Sequence, residues 1–323
     1  MATVAAVIPH WNRRELLVAL LESLRAQNRP FDEIIVADNG SSDDSAEVAE
    51  RTGARVLRLG RNFGFAAAVN RGIETAQTDW VAILNNDVTL EPDWLGALLE
   101  AALRESAWFA TGKILRAGTP GIIDGTFDEI SRGACACRCG SGKPDGPWWS
   151  EPRTIRFAPM TAALFRRDLF HEVGILDESF GSYLEDVEFG LRCALAGRGG
   201  VYVPSAVAHH RGSATRGEWH SDTVRQIAHN QVLMAAKHFR GQPRFPIVVG
   251  QVLWALLAFR HGRGWSYLRG KIRGIRAARC LSAQPGSARL TPILQASEHE
   301  IFELQRRTGF DGYWRAYFWL LRR

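Results

Sequence analysis

Three consecutive residues with oxygen-bearing side chains, Asn85, Asn86 and Asp87, have types and a spacing that could bind a metal ion or a ligand. They follow residues 81–84 (VAIL), a short apolar run that is typical of a strand buried on both faces. Asn85 and Asp87 are two residues apart, so in an extended chain their oxygens project to the same side, as two ligands of one hard cation would. An Asx-rich turn that caps the next helix explains the same residues without a metal, and both interpretations stay open at this point.

The first three predicted strands also end beside polar side chains. Pro9 and Asn12 follow the first strand, Asp38 follows the second, and Asn62 follows the third. In open α/β sheets, ligands bind in the crevice outside the carboxyl ends of the parallel strands. Together with Asp87, these residues therefore predict one polar crevice along the edge of a sheet. Asn12 is in addition a candidate N-cap for the helix after the first strand.

Two further clusters could carry catalytic or metal-binding groups. Glu185 and Asp186 stand at the N-terminus of a helix whose apolar positions begin at Val187. Carboxylates favour a first helical turn because of the helix dipole, so a simple cap is the alternative to a catalytic base. His209 and His210 follow the last predicted strand, where a pair of imidazoles is a candidate for metal binding.

A scaffold must bring these distant residues together. Strands and helices alternate from the N-terminus, which is typical of an α/β fold with a doubly wound, mostly parallel sheet. Residues 201–203 are predicted to be its last strand, and residues 118–153, rich in Gly, Pro, Asp and Cys, are predicted to form a long loop. We expect a first domain at residues 1–215 and a helical extension at residues 216–323.

The spacing of glycines and cysteines argues against three common kinds of binding site: dinucleotide, phosphate-loop and zinc sites. A Rossmann dinucleotide site would show GxGxxG in its first turn, where residues 9–12 (PHWN) contain no glycine. Residues 140–143 (GSGK) look like a phosphate loop, but the upstream glycine is missing and Pro144 stands where Ser or Thr should be. Three alternating cysteines at residues 135–139 lack the CxxC spacing that zinc sites prefer, so we expect reduced, structurally incidental thiols.

Length and charge separate the chain into two parts. The 323 residues, 46% of them hydrophobic, are enough for one large domain and an appended region. No apolar run reaches the roughly 20 residues that span a bilayer, and no signal peptide is predicted, so we expect a cytoplasmic location. The net charge is +6, yet residues 216–323 contain 18 Lys and Arg against 6 Asp and Glu, a local charge of +12.

The basic extension has the pattern of amphipathic helices. Trp265, Leu268, Ile272 and Ile275 have helical spacing, with mainly basic residues among the remaining positions. Residues 245–259 are strongly apolar but too short to span a membrane comfortably. Such helices commonly lie on anionic membranes, and a bundle with a solvated basic face is the alternative. No nucleic-acid-binding motif is recognised, so nucleic acid is not an expected partner.

Six segments of the chain resemble, in order, glycosyltransferase family 2 of the GT-A fold, within its rhamnosyltransferase-like branch. Four are similar to the family's nucleotide-sugar half: residues 7–12 (VIPHWN), 38–43 (DNGSSD), 62–70 (NFGFAAAVN) and 84–88 (LNNDV). Two are similar to its acceptor and metal half: residues 183–192 (YLEDVEFGLR) and 203–210 (VPSAVAHH). The resemblance extends over residues 4–215, and the order of the six motifs is more specific than any one of them.

The resemblance implies which residues bind the donor, a nucleotide-diphosphate sugar of the dTDP-rhamnose or UDP-sugar type. Asp38 would bind the base of the nucleotide, helped by the loop at Pro9 and Asn12. The residues that would line the rest of the nucleotide-sugar cleft are Asn62, Gly64, Phe65, Asn70 and Asn86.

The resemblance also implies a divalent metal cofactor, Mn²⁺ or Mg²⁺. Asn85 to Asp87 occupy the place of the family's DxD motif, with Asn85 replacing the first acid, so Asp87 is the principal carboxylate ligand. His210 is at the position that supplies a histidine ligand in related enzymes, and His209 is the alternative.

The implied reaction is glycosyl transfer with inversion. Asp186 matches the family's catalytic base, with Glu185 beside it, and would deprotonate an acceptor hydroxyl opposite the leaving group. The acceptor would be a glycan or a lipid-linked glycan of cell-surface polysaccharide synthesis, which would bring the protein to the inner face of the cell membrane. A retaining glycosidase would need two opposed carboxylates about 5 Å apart, whereas adjacent residues diverge.

Two other functions are weighed against this one. A sugar nucleotidyltransferase would need a Gly-rich loop with Arg and Lys after the first strand, which residues 9–12 do not provide. A non-catalytic nucleotide-sugar-binding scaffold at the membrane is favoured by the missing acid at Asn85 and opposed by the intact set of Asp87, Asp186 and His210. The sequence leaves the donor sugar, the acceptor, the linkage and the presence of a homo-oligomer open.

Overall fold

A computed structural model describes residues 2–212, 219–281 and 288–322. The chain divides into two compact units: Met1–Phe127 with Gly140–Ala214, and Asp128–Cys139 with Thr215–Arg323. The expected boundary between residues 215 and 216 lies outside the described residues. The segment Asp128–Cys139, which the sequence analysis placed in the first domain, groups with the second unit.

The strands and helices in the described part of the chain are the following. The strands are β1 (Val4–His10), β2 (Glu33–Asp38), β3 (Arg55–Arg58), β4 (Trp80–Leu84), β5 (Val88–Leu90), β6 (Phe109–Arg116), β7 (Ile123–Gly125), β8 (Asp128–Ile130), β9 (Ala136–Arg138), β10 (Arg153–Ile155), β11 (Ala162–Arg166) and β12 (Gly200–His210). The helices are α1 (Arg14–Arg25), α2 (Ser45–Arg51), α3 (Phe65–Thr75), α4 (Trp94–Arg104), α5 (Arg167–Val173), α6 (Glu185–Leu195), α7 (Ser221–His238), α8 (Arg244–Arg260), α9 (Gly264–Ala278), α10 (Leu290–Thr308) and α11 (Gly312–Leu320).

The first unit is built on one mixed sheet with the order β10-β12-β6-β11-β4-β1-β2-β3, in which β5 also pairs with β12 and β7 with β6. β1, β2, β3 and β4 are parallel, so their carboxyl ends lie along one edge. β11 is antiparallel to both β4 and β6. The α/β fold class is confirmed. The strand order reverses between β1 and β4, which is the kind of position where α/β sheets bind ligands.

The apolar spacing of the sequence explains the packing of this unit. All five residues of β4 are buried, as expected for a strand covered on both faces. Leu17, Leu20, Leu21 and Leu24 form the buried face of α1, and they lie in one core cluster with β1 and β4. The sheet is thereby fixed between helices, with the polar strand ends left at its edge.

Two expectations about the later part of the sheet are wrong. The last strand does not end at Val203 but continues through Pro204 to His210, because a register shift between Val203 and Val207 accommodates the proline. The predicted loop at residues 118–153 contains three short strands and a 3₁₀ turn at Pro147–Trp149, and β10 begins at its last residue. Their sequences are too short to show a period, so composition alone suggested a loop.

The second unit combines helices α7 to α11 with the β8–β9 hairpin. Arg132, in the hairpin, forms an ion pair of 2.7 Å with Glu298 of α10. The buried Glu298 carboxylate also accepts a hydrogen bond of 2.9 Å from the Tyr317 hydroxyl of α11. These contacts join three elements of the unit through one carboxylate. Among the described residues, none of the helices has the combination of length and hydropathy that crossing a membrane requires.

Candidate active site

The ends of β1, β2 and β4 meet at one edge of the sheet. The strand register places His10 beside Asp38, and the Asn86 side-chain amide lies 2.9 Å from His10 Nδ1. Burial lowers the pKa of His10 to about 4, although the nearby carboxylates of Asp38, Asp43 and Glu15 act in the opposite direction. The imidazole is therefore neutral at neutral pH, and donation from Asn86 to Nδ1 leaves the proton on Nε2. His10 Nε2 is buried without a hydrogen-bond partner in the described part of the chain, so a bound ligand could use it.

Asn39 holds the loop after β2 against the loop after β3. Its amide nitrogen donates to the Asn62 side chain over 3.2 Å and to the Gly64 carbonyl over 3.0 Å. Its oxygen accepts a hydrogen bond of 2.8 Å from the Phe63 N–H. The preceding residue, Asp38, is buried and accepts from a backbone N–H within its own turn. Three of the predicted donor-binding residues thus lie in one connected pair of loops.

Asn12 belongs to the same loop system, but not as a helix cap. The helix α1 begins at Arg14 without a side-chain cap, so the N-cap prediction is wrong. Asn12 has a φ of 56°, and its side-chain oxygen accepts from the Ser42 N–H over 2.8 Å. Its own N–H donates to Ser41 Oγ over 2.8 Å. The chain after Pro9 is therefore tied to the Gly-Ser turn that follows β2.

Asp87, His210 and Asp124 form a second polar cluster. His210 Nε2 lies 3.1 Å from Asp87 Oδ1, and His210 Nδ1 lies 2.8 Å from Asp124 Oδ2. All three side chains are largely buried. β12 brings His210 to this place by pairing with β5 directly after Asp87. Asp124 comes from β7, and nothing in the sequence distinguished it as a site residue.

His209 has a different partner. Its Nε2 lies 2.7 Å from Glu91 Oε1. Successive residues of a strand point to opposite faces, so His209 and His210 cannot both face Asp87. This geometry favours His210 over His209 as the metal ligand.

The surroundings of Asp87 fit a divalent cation. An imidazole whose second nitrogen binds a carboxylate is held in one orientation and one tautomer, as metal-binding histidines usually are. Asn85 Oδ1 is buried and has no hydrogen-bond partner among residues 2–212, 219–281 and 288–322, so this oxygen is available to a ligand. The same residues contain no group of three or more His, Cys, Asp or Glu side chains that could hold a metal ion by themselves. An ion bound by Asp87, His210 and Asn85 would therefore take further oxygens from substrate or water.

Glu185 and Asp186 begin α6, as predicted. Tyr183 and Leu184 precede them with φ angles of 70° and 66°, a costly conformation for residues other than glycine. Burial, followed by the charge of Asp186, raises the pKa of Glu185 well above its ordinary value. The raised pKa disfavours the charged form of Glu185, whereas the partly exposed Asp186 is the carboxylate that a substrate could reach.

The turn before α6 contacts the loop before α3. The Phe65 N–H donates to Ser182 Oγ over 3.3 Å, and the Ala66 N–H donates to the Gly181 carbonyl over 2.8 Å. Gly64 has a φ of 94°, and a Cβ on it would lie 3.2 Å from Gly181 Cα. Only glycine suits this position, and the contact brings the loop of Asn62 next to the approach to Asp186.

Asn70 is buried inside the fold and not exposed to the crevice. Its amide nitrogen donates to the Leu176 carbonyl over 2.9 Å and to Glu178 over 3.1 Å, and its oxygen accepts from the Leu176 N–H over 3.0 Å. Because its carboxamide is used by the protein, we do not retain Asn70 as a donor-binding residue.

Replacing Asn70 with Ala should lower the free energy of unfolding by about 2–3 kcal/mol, because the buried N–H and C=O of Leu176 would lose their partners. Urea unfolding followed by circular dichroism measures this. The control is Asn28→Ala at an exposed site, which should change stability by less than about 0.5 kcal/mol. Equal stability of the two variants would contradict the structural role of Asn70.

Comparison with known proteins shows the family to which the chain belongs. Residues 5–174 match the family described as Glycosyl transferase family 2. The chain therefore belongs to glycosyltransferase family 2 and is an enzyme of the glycosyltransferase class with the GT-A fold.

Two relatives and one solved structure illustrate the similarity of this chain to known proteins. The N-acetylglucosaminyl-diphospho-decaprenol L-rhamnosyltransferase of Mycobacterium tuberculosis is 32% identical over 238 residues, which cover 66% of this chain and 77% of the relative. The pre-mycofactocin glycosyltransferase of the same organism is 29% identical over 221 residues, which cover 67% of this chain and 44% of that protein. The crystal structure of GalNAc-T7 with UDP, GalNAc and Mn²⁺ matches with a TM-score of 0.66 and 15% identity, over 96% of this chain and 58% of that one.

Proposed function

We propose that this glycosyltransferase is a metal-dependent, inverting enzyme that moves a sugar from a nucleotide-diphosphate sugar to a glycan carried on a lipid. The observation that supports this most is the cluster of Asp87, His210 and Asp124, which lies on the same sheet as the Asp38 crevice. The cluster offers a cation site, the crevice offers a nucleotide site, and Asp186 offers a base. A glycosyl transfer needs these three parts together.

The donor would lie along the ends of β1, β2 and β4. Asp38 accepts hydrogen bonds, as binding the N–H groups of a base requires, and Asn12 and Asn39 keep its loops in place. The Nε2–H of His10 and the amide of Asn86 are donors suited to oxygen atoms of the nucleotide. This assignment gives His10, which the sequence analysis did not select, a role in donor binding.

Asp87, His210 and Asn85 would hold the divalent metal, Mn²⁺ or Mg²⁺. When bound, such an ion supplies charge neutralisation on the departing diphosphate. Asp124 would accept a hydrogen bond from the Nδ1–H of His210. The lone pair of Nε2 would then be available to bind the metal.

Asp186 would accept the proton of the acceptor hydroxyl. As the hydroxyl oxygen forms its bond to the anomeric carbon, the bond from that carbon to the phosphate oxygen breaks and the nucleoside diphosphate leaves. Attack on the side opposite the leaving group inverts the anomeric configuration. Glu185 is buried and its pKa is raised, so it is less suited to take this proton than the partly exposed Asp186.

The nature of the substrates is proposed from the named relatives. The rhamnosyltransferase with 32% identity is named for a diphospho-decaprenol acceptor that carries N-acetylglucosamine. We therefore propose a dTDP-rhamnose or UDP-sugar donor and a polyprenyl-diphosphate sugar acceptor, used at the inner face of the cell membrane. A panel of these donors, tested with a short-chain polyprenyl-diphosphate N-acetylglucosamine and Mn²⁺, tests the proposal. Transfer from one donor that EDTA abolishes supports it, and release of free sugar without transfer contradicts it.

Replacing Asp124 with Asn should weaken Mn²⁺ binding by about 10–100-fold, because His210 loses the carboxylate that orients its ring. Mn²⁺ binding is measured by electron paramagnetic resonance in the presence of a nucleoside diphosphate. The matched control is Glu91→Gln, which removes the carboxylate partner of His209 instead. If Glu91→Gln weakens Mn²⁺ binding as strongly as Asp124→Asn does, His210 is not the metal ligand.

A further inference from the structure

The second unit carries an exposed apolar surface that the proposed transfer reaction does not use. Five apolar residues of α8 recur every three or four positions and therefore form one stripe, and each is between 50% and 62% exposed. They are Phe245, Val248, Val252, Leu256 and Phe259. Large side chains that are singly exposed are common, but a continuous stripe of them on one helix needs a partner.

The next helix, α9, carries a second stripe of the same kind. Its four residues are between 36% and 74% exposed. They are Trp265, Leu268, Ile272 and Ile275. The opposite face of α9 packs on α7 through two glycines: a Cβ on Gly270 would lie 2.3 Å from the Arg225 carbonyl oxygen, and one on Gly274 would lie 2.7 Å from the His229 carbonyl oxygen. This close packing fixes which face of α9 stays exposed.

Charge distinguishes among the partners that this surface could take. Residues 223–297 contain 12 Lys and Arg and no Asp or Glu. Arg269, Arg273 and Arg276 are exposed, and each follows a stripe residue, so it lies about 100° around the helix from the apolar stripe. The α9 stripe begins with the exposed Trp265 and is flanked by arginines, a pattern that suits the interface of an anionic bilayer. There the apolar side chains enter the acyl region and the arginines reach the phosphates.

We propose that the α8–α9 hairpin, residues 244–278, is a docking surface for an anionic phospholipid membrane, on which both helices lie in the plane of the interface. The apolar stripes supply insertion and the arginines supply attraction to the headgroups. Two copies of this chain would bring like charges together on this surface, which disfavours self-association. Nucleic acid would leave the aliphatic stripes in water. The proposal concerns membrane binding alone, so its test is independent of the proposed transfer reaction.

Flotation of the full chain with vesicles tests this proposal. We expect binding to vesicles of phosphatidylcholine mixed with phosphatidylglycerol, and at least about tenfold weaker binding to phosphatidylcholine alone. Replacing Leu256 and Ile272 together with Ser should reduce binding to the anionic vesicles by about tenfold or more. The matched control is Leu103→Ser, which changes a 53% exposed leucine of the first unit and should leave binding unchanged.

A fluorescent label reports whether α9 itself reaches the bilayer. Cys280 lies just after α9 and is exposed, whereas the other four cysteines are buried, so an environment-sensitive thiol dye will label it selectively. We expect its emission to shift to the blue on anionic vesicles and to stay unchanged in the Leu256→Ser, Ile272→Ser variant. Absence of flotation, or flotation that the double variant does not reduce, would overturn the proposal. Sedimentation showing a dimer that the double variant dissociates, without vesicle binding, would instead identify an interface between copies.

Discussion

Replacing Asp186 with Asn is expected to lower the rate of sugar transfer about 10³-fold, because the acceptor hydroxyl loses the carboxylate that takes its proton. The affinity for the nucleotide sugar should change by less than about threefold, since Asp186 is placed on the acceptor side of the reaction. The rate is measured as product formed at saturating donor and acceptor. Donor affinity is measured by calorimetry on the same preparation.

Two comparisons sharpen this experiment. Asp168→Asn makes the same chemical change at an exposed first-turn position of α5 and should leave the rate within about twofold of the wild type. Glu185→Gln should have a much smaller effect than Asp186→Asn, because Glu185 is buried and burial raises its pKa, which disfavours the charged form that a base needs. If Glu185→Gln is the more damaging of the two, Glu185 is the base and the assignment of Asp186 is wrong.

Replacing Asp87 with Asn is expected to reduce the transfer rate by about 10³-fold through the metal site. The variant keeps the shape of the side chain but removes the one carboxylate that stands in the LNNDV motif, so the bound cation would lose its charged protein ligand. Stabilisation of the departing diphosphate is worth several kcal/mol, and each 1.4 kcal/mol corresponds to about tenfold in rate. The measurement is the rate across a range of Mn²⁺ concentrations.

A partial rescue of Asp87→Asn at high Mn²⁺ would agree with a weakened metal site. The control is Asp93→Asn, which changes an exposed aspartate six residues further on that contacts Asn28. We expect that control to keep its rate and its metal requirement within about twofold of the wild type. A normal transfer rate in Asp87→Asn, or an equal loss of rate in Asp93→Asn, would contradict the assignment of Asp87 as a metal ligand.

Much of the first unit could be predicted from local patterns. The continuous apolar run at residues 81–84 and the helical spacing of the α1 leucines each predict burial, and the structure confirms both. The alternation of strands and helices also predicts that Asp38 and Asp87 lie at strand ends along one edge of a parallel sheet, and the topology agrees. Short strands were not predictable in this way: β7 has three residues, so neither period nor composition separated it from a loop.

The residues that the structure adds to the proposed site are defined by contacts between distant segments, which the sequence alone does not show. Asp124 is identified by its hydrogen bond to His210, 86 residues away in the chain. His10 stands in the VIPHWN motif, but its burial and its contact with Asn86 depend on the pairing of β1 with β4. Asn39 stands in a turn, where Asn residues are common for local backbone reasons, so its residue type did not indicate a further role. In the structure its side-chain amide binds the Asn62 side chain and holds the Asn62 loop in place.

Asn70 illustrates the opposite case. It lies in the NFGFAAAVN segment, so its motif suggested a place in the donor cleft. In the structure it faces inward and binds the backbone of Leu176. A polar residue within a motif can therefore serve the scaffold on which the site is built, and only its partners distinguish the two roles.

Donor binding in the presence and absence of metal tests the central claim most directly. Calorimetric titration of the wild-type protein with dTDP-, UDP- and GDP-sugars, with Mn²⁺ or with EDTA, measures whether nucleotide sugar and cation share one site. We predict that one nucleotide sugar binds at least about tenfold more tightly with Mn²⁺, and by linkage that this sugar tightens Mn²⁺ binding by the same factor. Binding that is equally tight in EDTA, or no binding of any nucleotide sugar, would contradict the proposed metal-dependent site at Asp87 and His210.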